Sequence, residues 1–182
     1  MSFRDRLRDL AADVERDVLR LFDRWQAGGI SEDEFVAAVA AAIARGNGRA
    51  VATADRAAAV QLSRLLRREV EPLAQELDDP RDRLADGVRT LLDEDPDIAE
   101  TPQELAESRR RRLARLARNE PLQAATAATG AAFAARQVGW RRGIGPDACP
   151  LCETWDDGRV RPAQVSMPRH PNCSCVQIPA RL

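Results

Sequence analysis

The first hundred residues have the hydrophobic spacing of amphipathic α-helices. Between residues 3 and 25 the apolar side chains recur at intervals of three, four and seven, which aligns them on one helix face; they are Phe3, Leu7, Leu10, Val14, Leu21 and Trp25. The glycine pair at 28–29 ends this first helix. Ser31 and Glu34 form a capping box that starts a second helix, and we expect the Gly-Asn-Gly sequence at 46–48 to close it.

Two further helices are predicted before residue 100. An apolar stripe predicts a third helix from Thr53 to Leu77, which Pro72 must bend or shorten because proline removes one backbone hydrogen bond. A short helix from Arg81 to Leu92 follows the stop signal at 78–80. An acidic turn is expected at 93–97, around a proline.

A long helix is predicted next, and it begins at a strong cap. Thr101 is the N-cap, Pro102 lies in the first turn and Glu104 occupies the third position. The sequence at 119–121 ends in a proline, so we expect a break or kink there. The helix then resumes through a stretch of small residues to Val138.

The segment 139–182 has no helical period and is rich in glycine and proline. Short strands are predicted at 138–142, 159–160 and 175–178, with Asp157-Gly158 as a hairpin turn. The predicted fold class is therefore α+β. A mostly α-helical region at 1–100 precedes a domain at 101–182, which consists of a helix at 102–138 and a small strand-and-loop module at 139–182.

All four cysteines and the only histidine lie in this module. Cys149 and Cys152 form a C-x2-C pair that places two sulfurs on one side of a tight turn. A second group can return across a hairpin and offers His170, Cys173 and Cys175 for the two remaining places of a tetrahedron. The spacing predicts a structural zinc site, because a tetrahedron filled by Cys and His leaves no open position for water.

Two other interpretations of the thiols remain open, namely a redox pair and unligated buried cysteines. A thioredoxin-like motif opens a helix after a strand, whereas we expect a loop after Pro150. Cytosolic thiols stay reduced, which disfavours disulfides. His170 is the only imidazole of the chain and the metal cluster claims it. We therefore assign no catalytic residue and expect the protein not to be an enzyme.

Charge changes sign along the chain. Residues 1–99 carry 15 arginines and 21 acidic residues, whereas residues 100–182 carry 13 arginines and 8 acidic residues. Six arginines form a row on the predicted long helix: Arg109, Arg110, Arg111, Arg112, Arg115 and Arg118. This arginine row could contact phosphates, although a solvated helix face is the simpler interpretation.

The sequence shows no membrane-spanning segment. No apolar run approaches the roughly 20 residues of a membrane span and the N-terminus is unlike a signal peptide, so we expect a cytosolic protein without a membrane partner.

Taken together, the C-terminal motifs resemble a known family. Gly139-Trp140, the Cys149–Cys152 pair, the Asp157-Gly158 turn and the His-Pro-Asn-Cys-Ser-Cys run at 170–175 resemble the C-terminal domain of the Mu F-like minor head proteins of tailed bacteriophages, also called head-morphogenesis proteins. The resemblance covers about residues 102–180. Ser174 departs from the family pattern, which commonly has arginine at that place.

The resemblance implies a virion protein that acts in head assembly or in genome packaging or ejection. The implied partners are the portal protein and the major capsid protein, with packaged DNA against the arginine row of the long helix. The implied location is the capsid interior or portal vertex, reached from the host cytoplasm during assembly, and Trp140 would pack beneath the metal-knit module. The residues alone also suit a zinc-ribbon-like nucleic-acid-binding module and, more remotely, a peptidase or nuclease with catalytic zinc.

Overall fold

The computed structural model describes residues 2–75, 78–93, 101–145, 148–171 and 173–182. Its elements are α1 (Phe3–Gln26), α2 (Glu32–Leu66), α3 (Arg81–Asp93), α4 (Pro102–Ala134), β1 (Gly139–Gly143), α5 (Pro150–Trp155) and β2 (Val176–Ala180). This mostly helical chain with one small two-stranded sheet at its C-terminal end confirms the predicted α+β class. Among the described residues, no helix combines the length and apolar character that a membrane span requires.

Three helices begin at capping boxes, in which a hydroxyl and a carboxylate each satisfy a backbone N–H of the first turn. The boxes at Ser31 and Thr101 confirm the predicted starts of α2 and α4. A third box caps α1, where the Ser2 hydroxyl accepts from the Asp5 N–H at 3.1 Å. The side chains of the first turns therefore fix where these helices start.

The second helix runs through residues 46–48, so the prediction that it ends there is wrong. A Cβ added at Gly46 would lie 2.5 Å from Val14 Cγ2, which shows that α1 and α2 approach closely at this position. Asn47 is buried, and its Nδ2 donates to Glu120 Oε2 at 3.3 Å. Gly46 and Asn47 have low helix propensity, but both pack against neighbouring helices, and this packing outweighs the low propensity.

The helix predicted from Thr53 to Leu77 is also wrong as a separate element. Its first part belongs to α2, which ends at Leu66 because Arg67 adopts a left-handed conformation with φ 55°. The chain from 67 to 75 is irregular and is held by the buried carboxylate of Asp55, which accepts from the N–H groups of Leu73 (3.0 Å) and Ala74 (2.8 Å).

The short helix predicted at 81–92 is confirmed as α3. Residues 76–77 of the predicted third helix, and all but the first residue of the acidic turn predicted at 93–97, lie outside the described residues.

Helix α4 continues through Pro121, so the predicted break at 119–121 is wrong. Proline costs one backbone hydrogen bond inside a helix, but the ring of Pro121 is fully buried and its Cγ lies 3.4 Å from a Cβ built at Gly46. Packing against α2 offsets the lost hydrogen bond. The helix ends at Ala134, before the predicted end at Val138.

The buried apolar side chains of the described residues form two hydrophobic clusters. The larger one joins α1, α2, α3 and α4 through side chains such as Phe22, Phe35, Ile43, Val88 and Leu113. The smaller cluster joins α2 and α4 to the C-terminal module; its members include Leu62, Phe133, Trp140, Met167 and the three buried cysteines. The C-terminal module therefore packs against α2 and α4.

The two strands pair antiparallel, with Gly139 opposite Ala180 and Gly143 opposite Val176. The strands predicted at 138–142 and 175–178 are confirmed with small shifts, but the strand at 159–160 is wrong. Only a single bridge forms nearby, between Trp140 and Arg161, with both N–H···O distances 2.8 Å. An antiparallel ladder would continue through the Arg159 N–H, which donates to the Asp157 carboxylate at 3.1 Å instead.

The predicted Asp157-Gly158 turn is present in a different setting. Gly158 has φ +68°, a conformation that favours glycine. The Asp157 carboxylate accepts from the Arg159 N–H at 3.1 Å, which closes the turn locally. Because no strand forms at 159–160, the turn shapes the loop between α5 and the bridge at Arg161 and does not join two strands.

Candidate metal centre

The C-x2-C pair lies at the start of a short helix. Cys149 is the N-cap of α5, Pro150 is its first residue and Cys152 faces inward from its first turn, 2 % exposed. The loop expected after Pro150 is therefore wrong, because proline suits the first position of a helix. Since α5 follows β1 in the chain, the motif does open a helix after a strand, and that argument against a redox pair fails.

The structure brings all five predicted donors together around Cys152. Its Sγ lies 3.0 Å from His170 Nε2 and 3.5 Å from Cys173 Sγ, and Cys149 Sγ also lies 3.0 Å from His170 Nε2. The donors form two groups, Cys149–Cys152–His170 and Cys152–Cys173–Cys175, within each of which every ligand atom is within 4.8 Å of the others. This cluster could hold a metal ion.

The donors of the cluster suit a metal ion in their chemistry, and one sulfur–sulfur distance is close to that of a tetrahedral zinc site. Zinc–sulfur bonds of about 2.3 Å imply sulfur–sulfur separations of about 3.8 Å, close to the 3.5 Å between the Cys152 and Cys173 sulfurs. All four cysteines are free thiols. Thiolate and imidazole are ligands that borderline-soft ions prefer. The 3.0 Å between each of the Cys149 and Cys152 sulfurs and His170 Nε2 is shorter than the roughly 3.5 Å of a tetrahedral zinc site, so these side chains would move apart around an ion.

The imidazole of His170 is oriented for ligation through Nε2. Its Nδ1 lies 2.8 Å from the Pro171 carbonyl oxygen, so Nδ1–H donates to that oxygen and Nε2 keeps its lone pair. Nε2 is the atom that lies between the Cys149 and Cys152 sulfurs. The ring of Trp155 lies beside the imidazole, with centroids 6.1 Å apart.

The two closest thiols differ in acidity. Burial raises the pKa of the Cys152 thiol, and hydrogen bonds with Cys175 and Cys173 add to the rise. Burial also opposes ionisation of Cys173, but the Cys175 N–H and the Cys152 thiol donate to its sulfur and Arg169 is nearby, so the pKa of Cys173 is lowered. Of the pair, Cys173 forms a thiolate more easily.

Two arginines that the sequence analysis did not single out hold the loops of the module. Arg142 is 5 % exposed, donates to the Pro168 carbonyl at 2.5 Å and lies over the Trp155 ring, 5.3 Å from its centroid. Arg169 donates to the Leu122 carbonyl of α4 at 3.0 Å and also to the Cys173 carbonyl. Hydrophobic periodicity carries no signal for such contacts, because both side chains bind backbone carbonyls whose positions depend on the tertiary fold.

Trp140 packs among the residues of the metal cluster. Its ring is 1 % exposed and belongs to the hydrophobic cluster that contains Cys152, Cys173 and Cys175. The indole Nε1 donates to the Val165 carbonyl at 2.9 Å. Trp140 thus supports the loop that precedes His170 as well as the cysteine pair.

Most arginines of the row on α4 contact other parts of this chain. Arg109 donates to the Leu92 carbonyl, Arg110 pairs with Asp23, and Arg118 lies 3.3 Å from Glu15. Arg111 lies 4.0 Å from Glu107, four residues earlier on the same helix, a spacing typical of helical ion pairs. Arg112 is also engaged, and Arg115 is exposed. The row therefore ties α4 to α1 and to the end of α3.

The chain was compared with protein-family models, with curated proteins and with solved structures, and no match was found in any of the three comparisons.

Proposed function

We propose that this protein is a non-catalytic minor capsid protein of a tailed phage, a head-morphogenesis protein whose C-terminal module is held by one structural zinc ion. The observation that carries the proposal is the convergence of all five Cys and His donors on Cys152, in a module seated on α2 and α4. The Mu F-like resemblance of the same residues supplies the biological setting.

A structural role for the ion follows from the donors and their burial. Three of the four cysteines are at most 4 % exposed, and four protein ligands complete the tetrahedron of zinc without a water. The only imidazole of the chain is placed between two sulfurs, so it is not available as a general base. The ion would stabilise the module by joining α5 to the segment before β2.

We assign the ligands as Cys149, Cys152, His170 and Cys173. The first three form one of the two donor groups, and Cys173 has the sulfur closest to Cys152 in the other group. The Cys173 sulfur also accepts a hydrogen bond from the Cys175 N–H, an interaction that stabilises a thiolate ligand. Cys175 then remains a buried thiol beside β2.

The helical bundle and its rigid module suit docking on other proteins of the phage head. In this proposal the partners are the portal protein and the major capsid protein, and the protein occupies the capsid interior or portal vertex after assembly in the host cytoplasm. Contact between packaged DNA and the α4 arginines is the weaker part of the proposal, because Arg110 and Arg118 already pair with carboxylates of α1. The same pairing disfavours the zinc-ribbon-like nucleic-acid module.

The test is co-expression with the portal and major capsid proteins of the same phage, followed by gradient purification and mass spectrometry of the particles. We expect the wild-type protein to co-purify with particles and Cys152→Ser to be lost from them, because the module no longer holds its shape. Cys175→Ser, which removes a buried thiol that is not assigned as a ligand, should behave as wild type. Absence of the wild-type protein from particles, together with salt-sensitive binding to duplex DNA, would support the nucleic-acid alternative instead.

A further inference from the structure

A groove lies between the first turns of α1 and the second half of α2, on elements that contribute no ligand to the metal cluster. It has a volume of about 660 Å³. Its lining combines three arginines with apolar and neutral polar residues and contains no acidic side chain; the residues are Phe3, Arg6, Thr53, Arg56, Ala57, Val60, Gln61 and Arg64. Val60 is 52 % exposed and is one of five exposed large apolar side chains in the described part of the chain.

The arginines of the groove form no ion pair with the described residues. Within the described parts of the chain, the side chains of Arg6 and Arg64 make no hydrogen bond or ion pair, and Arg56 only donates its Nε to the Ala52 carbonyl of its own helix at 3.1 Å. All three are exposed. The α4 arginines Arg110 and Arg118 differ, because each pairs with a carboxylate.

The groove continues toward the middle of α2. A neighbouring depression of about 380 Å³ shares Arg6, Thr53 and Arg56 with it and adds Arg49, with Asp9 and Asp13 at that end. On α2 the positions 49, 53, 56, 60 and 64 are spaced by four, three, four and four residues, so they follow one helix face. Arg56 and Arg64 are about 12 Å apart along the helix axis.

From this arrangement we infer that the groove binds an acidic amphipathic helix of a partner protein. An apolar side chain of that helix covers Phe3 and Val60, and carboxylates two turns apart reach Arg56 and Arg64. Duplex DNA fits less well, because its phosphate backbone offers nothing apolar to cover Val60. The inference gives the helical bundle a docking surface independent of the zinc module.

The test uses the purified protein, without added metal, and a synthetic fluorescent helical peptide with a leucine stripe and glutamates two turns apart. Fluorescence anisotropy should show binding that weakens as salt rises. Arg56→Ala/Arg64→Ala should weaken binding about tenfold or more, and Val60→Glu should do the same by placing a negative charge in the groove. The matched control, Arg111→Ala/Arg115→Ala, removes the same charge from an exposed face of α4 and should bind as wild type.

Two further probes sharpen the result. A peptide with glutamine in place of glutamate should lose most of the affinity, and a random-sequence DNA duplex should not compete with the acidic peptide. The inference is overturned if the wild type does not bind the acidic peptide, if Arg56→Ala/Arg64→Ala binds it equally well, or if the duplex displaces it. Because the assay contains no phage component, none of these results bears on particle incorporation, and the two proposals fail separately.

Discussion

The Cys152 sulfur lies 3.0 Å from Nε2 of His170, although 18 positions separate the two residues in the sequence. This contact joins the first turn of α5 to the loop that precedes β2. Cys152 is also the one residue shared by the two donor groups of the cluster. The C-terminal module is thus organised around a single buried sulfur.

The shared position of Cys152 predicts an unequal response to removal of single thiols. Cys152→Ser should lose the metal and the ordered module, because it removes a donor from both groups. Cys175→Ser should retain the metal, since we assign the fourth ligand to Cys173. Zinc content by inductively coupled plasma mass spectrometry and near-ultraviolet circular dichroism of the buried Trp140 report the two effects. Equal zinc loss in both variants would refute the ligand assignment.

Gly46 and Gly48 provide a matched pair for the packing of α1 on α2. Gly46→Ala should destabilise the fold by about 1–3 kcal/mol, because overpacking a tight interface forces movement and the new Cβ would meet Val14 at 2.5 Å. Gly48→Ala has open space around the new Cβ and should stabilise the helix by up to about 1 kcal/mol. Urea unfolding measures both. Destabilisation by both substitutions to the same extent would mean that α2 is not continuous here.

Asp55 fixes the irregular segment after α2 through two backbone hydrogen bonds. Asp55→Ala should cost about 2–3 kcal/mol of unfolding free energy, because it leaves the N–H groups of Leu73 and Ala74 without their acceptor. Asp86→Ala, which removes an exposed carboxylate paired with Arg89, should cost less than about 1 kcal/mol. Thermal or urea unfolding of the two variants tests the difference, and equal stability would contradict the role of Asp55.

The Asp157 carboxylate should titrate below its usual range. Hydrogen bonds from the Arg161 guanidinium and the Arg159 N–H lower the pKa of Asp157. The folded protein therefore favours the ionised form of Asp157. This stabilisation is fully present above the pKa of about 3.9 that an aspartate has in the unfolded chain. It is lost as the pH falls through the lower pKa of Asp157 in the folded protein. Carbon-13 titration of the carboxyl group in wild type and Arg161→Gln should show the midpoint rising in the variant. An unchanged midpoint would contradict the pairing.

The sequence predicted the elements better than their ends. Apolar periodicity and the capping boxes at Ser31 and Thr101 identified helices correctly, because these signals are local. Gly46 and Pro121 were misjudged for one reason: local rules treat them as helix breakers, whereas the structure packs them near each other between α1, α2 and α4. Such tertiary packing cannot be seen from spacing along the chain.

The candidate site was predicted in composition but not in geometry. Spacing identified the five donors, and the structure brings them together. The start of α5 at Pro150 and the contacts of Arg142 and Arg169 with backbone carbonyls were not predicted, because they depend on how the loops fold over α4. The arginine row on α4 suggested nucleic acid, yet charge counts do not reveal which guanidinium groups already have carboxylate partners.

The central claim is that one zinc ion joins Cys149 and Cys152 to His170 and Cys173. The most direct measurement is the metal content of the purified, reduced full-length protein, combined with proton NMR of the Trp140 indole before and after addition of a strong chelator. We predict one zinc per chain, and loss of the dispersed indole signal once the metal is removed. A protein that carries no metal and keeps that signal in the chelator would contradict the claim.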